Sequence, residues 1–219
     1  MKSPFLASVV LLSTLRLAAS ADPPAVGAVR MQRSASIDKV LVGPRGEVFA
    51  LLLAEGSVVV LPPHLASDLG FEPGQRVQVE GDAVQTPLNF VYHRVRLTRA
   101  GVLLISAPQP GEGRPPGAPP DGPPPGDPVA ETETTRSGTL EAFLAAPDGR
   151  VNGLVFADGT VAMGGPHQSI DVSGLTRGTS LQISGTAPAG AAALRLERMT
   201  LPDGTVRALQ PLASAGKRE

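Results

Sequence analysis

The chain of 219 residues has no cysteine and no tryptophan, a single tyrosine, six phenylalanines and three histidines. Without cysteine there is no disulfide framework, no thiolate metal site, no cysteine nucleophile and no lipidated cysteine. With aromatics at 3% and aliphatic residues carrying most of the 42% hydrophobic content, any core must be aliphatic. Apolar runs long enough to cross a bilayer are also missing, since about 20 consecutive residues are needed and the longest run, near the N-terminus, is broken by Arg16. What the chain has in excess is turn and breaker chemistry: 25 glycines and 23 prolines.

Lys2, the apolar stretch Phe5 to Leu15 and the small-x-small triplet Ala19-Ser20-Ala21 have the order of a secretory signal. Residues 1–21 are therefore expected to be removed on export, placing the protein in the periplasm or outside the cell. The remaining chain carries 17 basic and 20 acidic side chains. They are balanced within each half: residues 22–104 hold 8 of each and residues 137–219 hold 7 of each. A general polyanion binder needs a net basic domain to neutralise phosphates, so the charge does not favour nucleic acid.

Ten prolines fall between Pro108 and Pro128, and no apolar periodicity survives there. Residues 105–136 read as a Pro/Gly-rich, disordered linker with extended character. A PxxP ligand role is the functional alternative and belongs mostly to cytosolic readers. The flanking segments look like copies of one another. A displacement of 103 residues superposes Pro44, Gly46, Val48, Gly56, Val58, Pro63 and His64 on Pro147, Gly149, Val151, Gly159, Val161, Pro166 and His167. One further residue brings Gly74 and Gly81 onto Gly178 and Gly185, the mark of an internal duplication.

In the first copy, strands are expected at Ile37 to Val42, Val48 to Leu53, Ser57 to Leu61, Gln75 to Gly81 and Asn89 to Thr98. A short helix opening at Pro63 and ending at Gly70 separates the third from the fourth, with Leu65 and Leu69 as its apolar stripe. The second copy repeats the strands at Thr139 to Ala145, Val151 to Ala157, Thr160 to Met163, Ser180 to Gly185 and Ala192 to Thr200. Asp148-Gly149 and Asp158-Gly159 suggest type I′ hairpins. Residues 168–172 are too β-branched for a helix. The resulting organisation is a barrel over 34–104, the linker, a second barrel over 137–207 and a frayed tail over 208–219. The first barrel, with Val58-Val59-Val60-Leu61 against Ala162, Gly164 and Gly165 in the second, is expected to be the more stable.

Three strands, a short helix and two strands is the order of an OB-fold barrel. The strings Leu51-Leu52-Leu53-Ala54-Glu55-Gly56, Leu61-Pro62-Pro63-His64-Leu65, Pro73-Gly74 and Val77-Gln78-Val79-Glu80-Gly81 resemble small exported bacterial OB-fold-like proteins of unassigned activity, here in tandem. The resemblance covers most of both copies and implies an all-β fold of two five-stranded barrels. It implies no activity, because fold alone is not a functional argument.

Candidate binding residues are Phe90, Tyr92, Arg94 and Arg96, which share one face of an unbroken strand, and Arg45 in the first hairpin loop. Rings beside guanidinium groups are what a single-strand or sugar surface uses. The competing reading is a half-buried edge strand with a solvated arginine end. His64 and His167 recur after a proline, with no ligand cluster nearby, and read as packing or capping residues rather than metal ligands. Ser67 and Asp68 near His64 lack a nucleophile elbow. Gly111-Glu112-Gly113-Arg114 sits in the linker, not between a strand and a helix, so it is no phosphate loop. No catalytic residue, metal or cofactor is expected. The expected protein is a monomeric, non-enzymatic binding or scaffolding module of the bacterial envelope, with an envelope protein or a glycan as partner. The alternative is an OB-type binder of single-stranded nucleic acid or oligosaccharide, working through loops 43–46 and 82–88.

Overall fold

The structure, a computed structural model, describes residues 28–106, 130–165 and 168–211. The first copy folds as β1 (Ala28–Val42), β2 (Val48–Leu53), β3 (Val58–Val60), a helical turn α1 (Pro63–Ala66) continued by a 3-10 turn (Ser67–Leu69), β4 (Arg76–Gln85), β5 (Phe90–Arg99) and β6 (Val102–Ile105). The first nine residues of β1 pair with β4 and its last six with β2, so one long strand serves two sides of the barrel. The antiparallel β2–β3 and β4–β5 pairs and a parallel β3–β5 contact close the ring, and β6 is bonded to β5 outside it. This is the OB-type ring order. The second copy repeats it with β7 (Glu131–Ala145), β8 (Val151–Phe156), β9 (Val161–Met163), β11 (Ser180–Pro188) and β12 (Ala193–Thr200), again with one outer strand, β13 (Val206–Ala208). In place of the helical turn it has a two-residue strand β10 (Gln168–Ser169) paired with β14 (Gln210–Pro211).

Three boundaries differ from the sequence reading. β1 starts at Ala28, ahead of residue 34. β7 starts at Glu131, so Glu131–Arg136 belong to the second barrel, where they pair with Ile183–Pro188. The nearby proline cluster masks a Glu/Thr alternation in which the β-branched threonines suit a strand. Gln210–Pro211, assigned to the tail, are held by β10. Most of the proline-rich segment and residues 1–21 lie outside the described residues.

The hairpins also close differently. At residues 146–150 the Ala146 N–H donates to the Arg150 carbonyl (2.8 Å) and the Gly149 N–H to the Ala146 carbonyl (2.9 Å). Gly149 has φ +89°, whereas Asp148 is not in the positive-φ region. The loop is a type I turn followed by a left-handed glycine, not a type I′ turn. The same pair of bonds recurs at 43–47, 53–57, 156–160 and 201–205. Asp148, Asp158 and Asp203 accept the N–H two residues on, which fixes the second half of each of their turns, across the left-handed glycine.

Each barrel has its own core. The first gathers Ile37, Leu51, Leu53, Val59, Val77, Val79, Tyr92 and Leu97, capped by Ala66 and Leu69. Leu65 is 43% exposed, so the helical turn faces the barrel with Ala66 and Leu69 and not with a Leu65/Leu69 stripe. In the second, Phe143 and Phe156 are fully buried and fill volume that Ala162 does not.

A third cluster joins the two. Leu41, Leu52, Val58 and Val91 of the first barrel pack against Leu144, Val155, Val161 and Ala193 of the second. These are equivalent positions: Val91 pairs with Val58 as Ala193 pairs with Val161. The same wall of each barrel meets the other, the arrangement of an isologous dimer. Buried Asn89 fastens it, its amide donating to the Phe143 carbonyl (3.1 Å) and its oxygen accepting the Phe143 N–H (2.9 Å). Lys39 reaches Glu141 across the boundary at 2.9 Å. A tether is therefore not the only link between the barrels. They are docked through an apolar wall.

Candidate functional site

The structure breaks the strand face that the sequence suggests. Glu80 faces Arg96 and Asp82 faces His93, leaving Arg94 and Val95 both opposite Gly81. This β-bulge, with Arg94 at φ +45°, shifts the alternation by one residue. Phe90 and Tyr92 point inward before it, Val95 and Leu97 after it. Tyr92 has no exposed surface and cannot act as a stacking platform. Phe90 is half-buried against the same core. Arg94 and Arg96 remain outside. Arg94 is paired with Asp82, and Arg45 is exposed in the β1–β2 turn, where its N–H donates to the Glu47 carboxylate. The structure does not bring Arg45 to the Arg96 surface through any hydrogen bond or ion pair.

Glycine at 81 is a packing requirement: a Cβ there would stand 2.8 Å from the His93 carbonyl oxygen. Gly185 is pressed in the same way against the Arg195 carbonyl, opposite the bulge in β12. The glycine match between the copies thus marks a bulge.

His93 sits where β5 meets the second barrel. Burial pushes its pKa below the ordinary value, partly opposed by the Ala145 backbone and by Asp82, and its Nε2 is buried without a hydrogen-bond partner. The imidazole is thus neutral at pH 7. The side chain of His64 and the whole of His167 lie outside what the structure describes. Among the described residues no group of three or more His, Asp or Glu is placed to hold a metal.

All six described aromatic side chains pack into the three apolar clusters, Phe49 against the barrel boundary and the others in the two cores. No ring lines the outer sheet face. That face, formed by β1, β4 and β5, is polar instead. Ser34, Gln78 and Thr98 stand in one row, Gln78 being the partner of both. In the second barrel Ser137, Gln182 and Thr200 form the same row on β7, β11 and β12. Arg96 and Arg198, each two residues before the threonine, complete a Ser-Gln-Thr-Arg patch in both barrels. In both, serine, glutamine and arginine are exposed and threonine is half-buried. Each row borders an open depression, of about 460 Å³ in the first barrel and about 520 Å³ in the second.

Charge leaves the arginine free. On the first barrel Glu80 is paired with Arg30 (3.2 Å), and Asp82 with both Arg30 and Arg94. Neither Arg96 nor Arg198 has a hydrogen bond or ion pair to a described residue. Each patch therefore offers an unpaired guanidinium, a carboxamide and two hydroxyls on a sheet; in the first, Arg76 Nε also donates to the Ser34 hydroxyl (3.4 Å). These groups donate and accept hydrogen bonds, and none is a nucleophile activated by a base. Sequence reading reached Arg96 and missed the rest. Serine is displaced by 103 residues between copies, glutamine by 104, threonine and arginine by 102, so no single displacement aligns the patch.

No protein-family model matches the chain, and neither a curated protein nor a solved structure does.

Proposed function

We propose that the chain is a non-enzymatic binding module of the bacterial envelope, in which two docked barrels offer the same polar patch twice. The observation that carries this reading is the recurrence of Ser34-Gln78-Thr98-Arg96 as Ser137-Gln182-Thr200-Arg198, with serine, glutamine and arginine exposed and threonine half-buried in both, on the outer sheet face. Export is part of the proposal and rests on the signal-like order of residues 1–21. No helix among the described residues is long and apolar enough to cross a membrane. Single-stranded nucleic acid is the weaker reading, because stacking needs exposed rings and the rings here face inward.

The test is retention of envelope components on the immobilised protein. Gln78→Ala combined with Gln182→Ala is expected to abolish specific retention without lowering the melting temperature, both side chains being exposed. Unchanged retention by that variant would remove the patches from the function.

A further inference from the structure

Resting on the binding-module reading, we infer that each patch takes one carboxylated sugar unit, so that the ligand is a linear acidic polysaccharide with a repeating carboxylate. The guanidinium of Arg96 or Arg198 presents a planar fork that matches a carboxylate, and neither is ion-paired to a described residue; Glu80, opposite Arg96, is held by Arg30. Beside it the Gln78 or Gln182 carboxamide can both donate to and accept from a hydroxyl, and the serine and threonine hydroxyls extend that capacity along the row.

Three observations narrow the class. Two small patches built from the same four residue types on one docked body suit a ligand that repeats itself, whereas a protein partner with a unique surface would require one composite patch; the first differs from the second in having Arg76 bonded to Ser34 and Glu80 opposite Arg96. Neutral sugars and nucleobases are held largely through stacking on rings, and none is exposed on these faces. A polyphosphate would call for a dense basic field on both barrels, but the second depression is lined by no basic residue, and Arg76 and Arg99 add charge at the first alone. A polymer with one carboxylate per unit among hydroxyls fits that spacing of charge. Occupying both patches with one long chain raises apparent affinity without any new contact.

The experiment is calorimetry with short galacturonate oligomers and with polygalacturonate, against neutral dextran, using the chain from residue 22 onward. The expected result is two oligomer sites per chain, tighter apparent binding of the polymer, and no binding of dextran. Arg96→Ala and Arg198→Ala should each remove one site, leaving the polymer about tenfold weaker, and together they should eliminate binding with unchanged melting temperature. Arg150→Ala, which removes a positive charge in the β7–β8 turn, should change nothing. Binding of dextran as strongly as polygalacturonate, or a stoichiometry unaffected by both arginine substitutions, would overturn the inference. If polyuronates do not bind while Gln78→Ala with Gln182→Ala still abolishes envelope retention, the ligand class is wrong and the binding module stands. If retention survives too, both fall.

Discussion

At residue scale the sharpest difference between sequence and structure is Tyr92. Its ring is sealed in the first barrel, and its hydroxyl is buried without a well-formed hydrogen bond. The Arg33 guanidinium lies close enough for that phenol oxygen to hold its pKa above the ordinary value. Tyr92→Ala is therefore expected to destabilise the fold by about 3–5 kcal/mol, the cost of emptying an aromatic site, and to leave ligand affinity per folded molecule unchanged. Tyr92→Phe should change stability by less than about 1 kcal/mol, because it removes little volume and a hydroxyl whose only neighbouring partner is the poorly aligned Arg33 guanidinium. Chemical denaturation of the two variants checks both. The side chains on β5 were legible as types but not as directions. Alternation assumes an unbroken strand, and the residue that breaks it, Arg94, has no local signature; the only hint is the glycine opposite, which looks like any other in a chain with 25 of them.

At the scale of elements, ten strand positions, the barrel order and the helical turn after Pro63 were readable. They depend on local periodicity and on turn residues, both of which are written in consecutive positions. The long halves of β1 and β7 were not. Their N-terminal portions lie beside β4 and β11 on a mostly solvated face, so they lack the apolar alternation that announces a strand. Their existence is dictated by partners 40 to 57 residues away, from Ser36↔Arg76 to Glu131↔Pro188. Asn89 is another element-scale case, a loop residue whose amide completes the backbone pairing of β7. Asn89→Ala should cost about 1–3 kcal/mol, since it leaves the Phe143 N–H and carbonyl buried without partners. Asn89→Asp should be no better, because its carboxylate cannot donate to the carbonyl. Thermal denaturation resolves the series.

For the whole molecule, the docked wall changes what cutting the connection should do. Cleavage within residues 107–129 is expected to leave two fragments that co-elute at micromolar concentration, since each separated barrel would expose four equivalent aliphatic positions, worth about 1.5–3 kcal/mol per large side chain. Fragments that elute apart, each folded, would contradict the docking. The expected ranking of barrel stabilities loses its basis for the same reason: the shared wall couples the two, and Phe143 with Phe156 offsets the smaller residues of the second core.

Acidification should loosen this assembly. Burial holds the His93 pKa below its ordinary 6.5, so between 6.5 and the lowered value the unfolded chain takes up a proton that the docked one refuses. Stability is full above about pH 6.5 and declines as pH falls. Carboxylate effects come later. Asp171, held below its ordinary 3.8 by bonds from Ser173, loses its contribution only under more acidic conditions. His93→Gln should flatten the melting temperature between pH 7 and pH 5, and an unchanged slope would show that another group is responsible.

Docking through equivalent walls also sets how the molecule can change. In a homodimer every substitution at the interface appears twice, and each must suit its own copy rotated by the two-fold axis. Joining the halves in one chain lifts that constraint. Lys39 faces Glu141, while the reciprocal positions, Ala142 and Asp38, need no matching pair; Asn89 anchors one side only. The interface can therefore drift one residue at a time, with each half free to specialise while the other keeps the pair together.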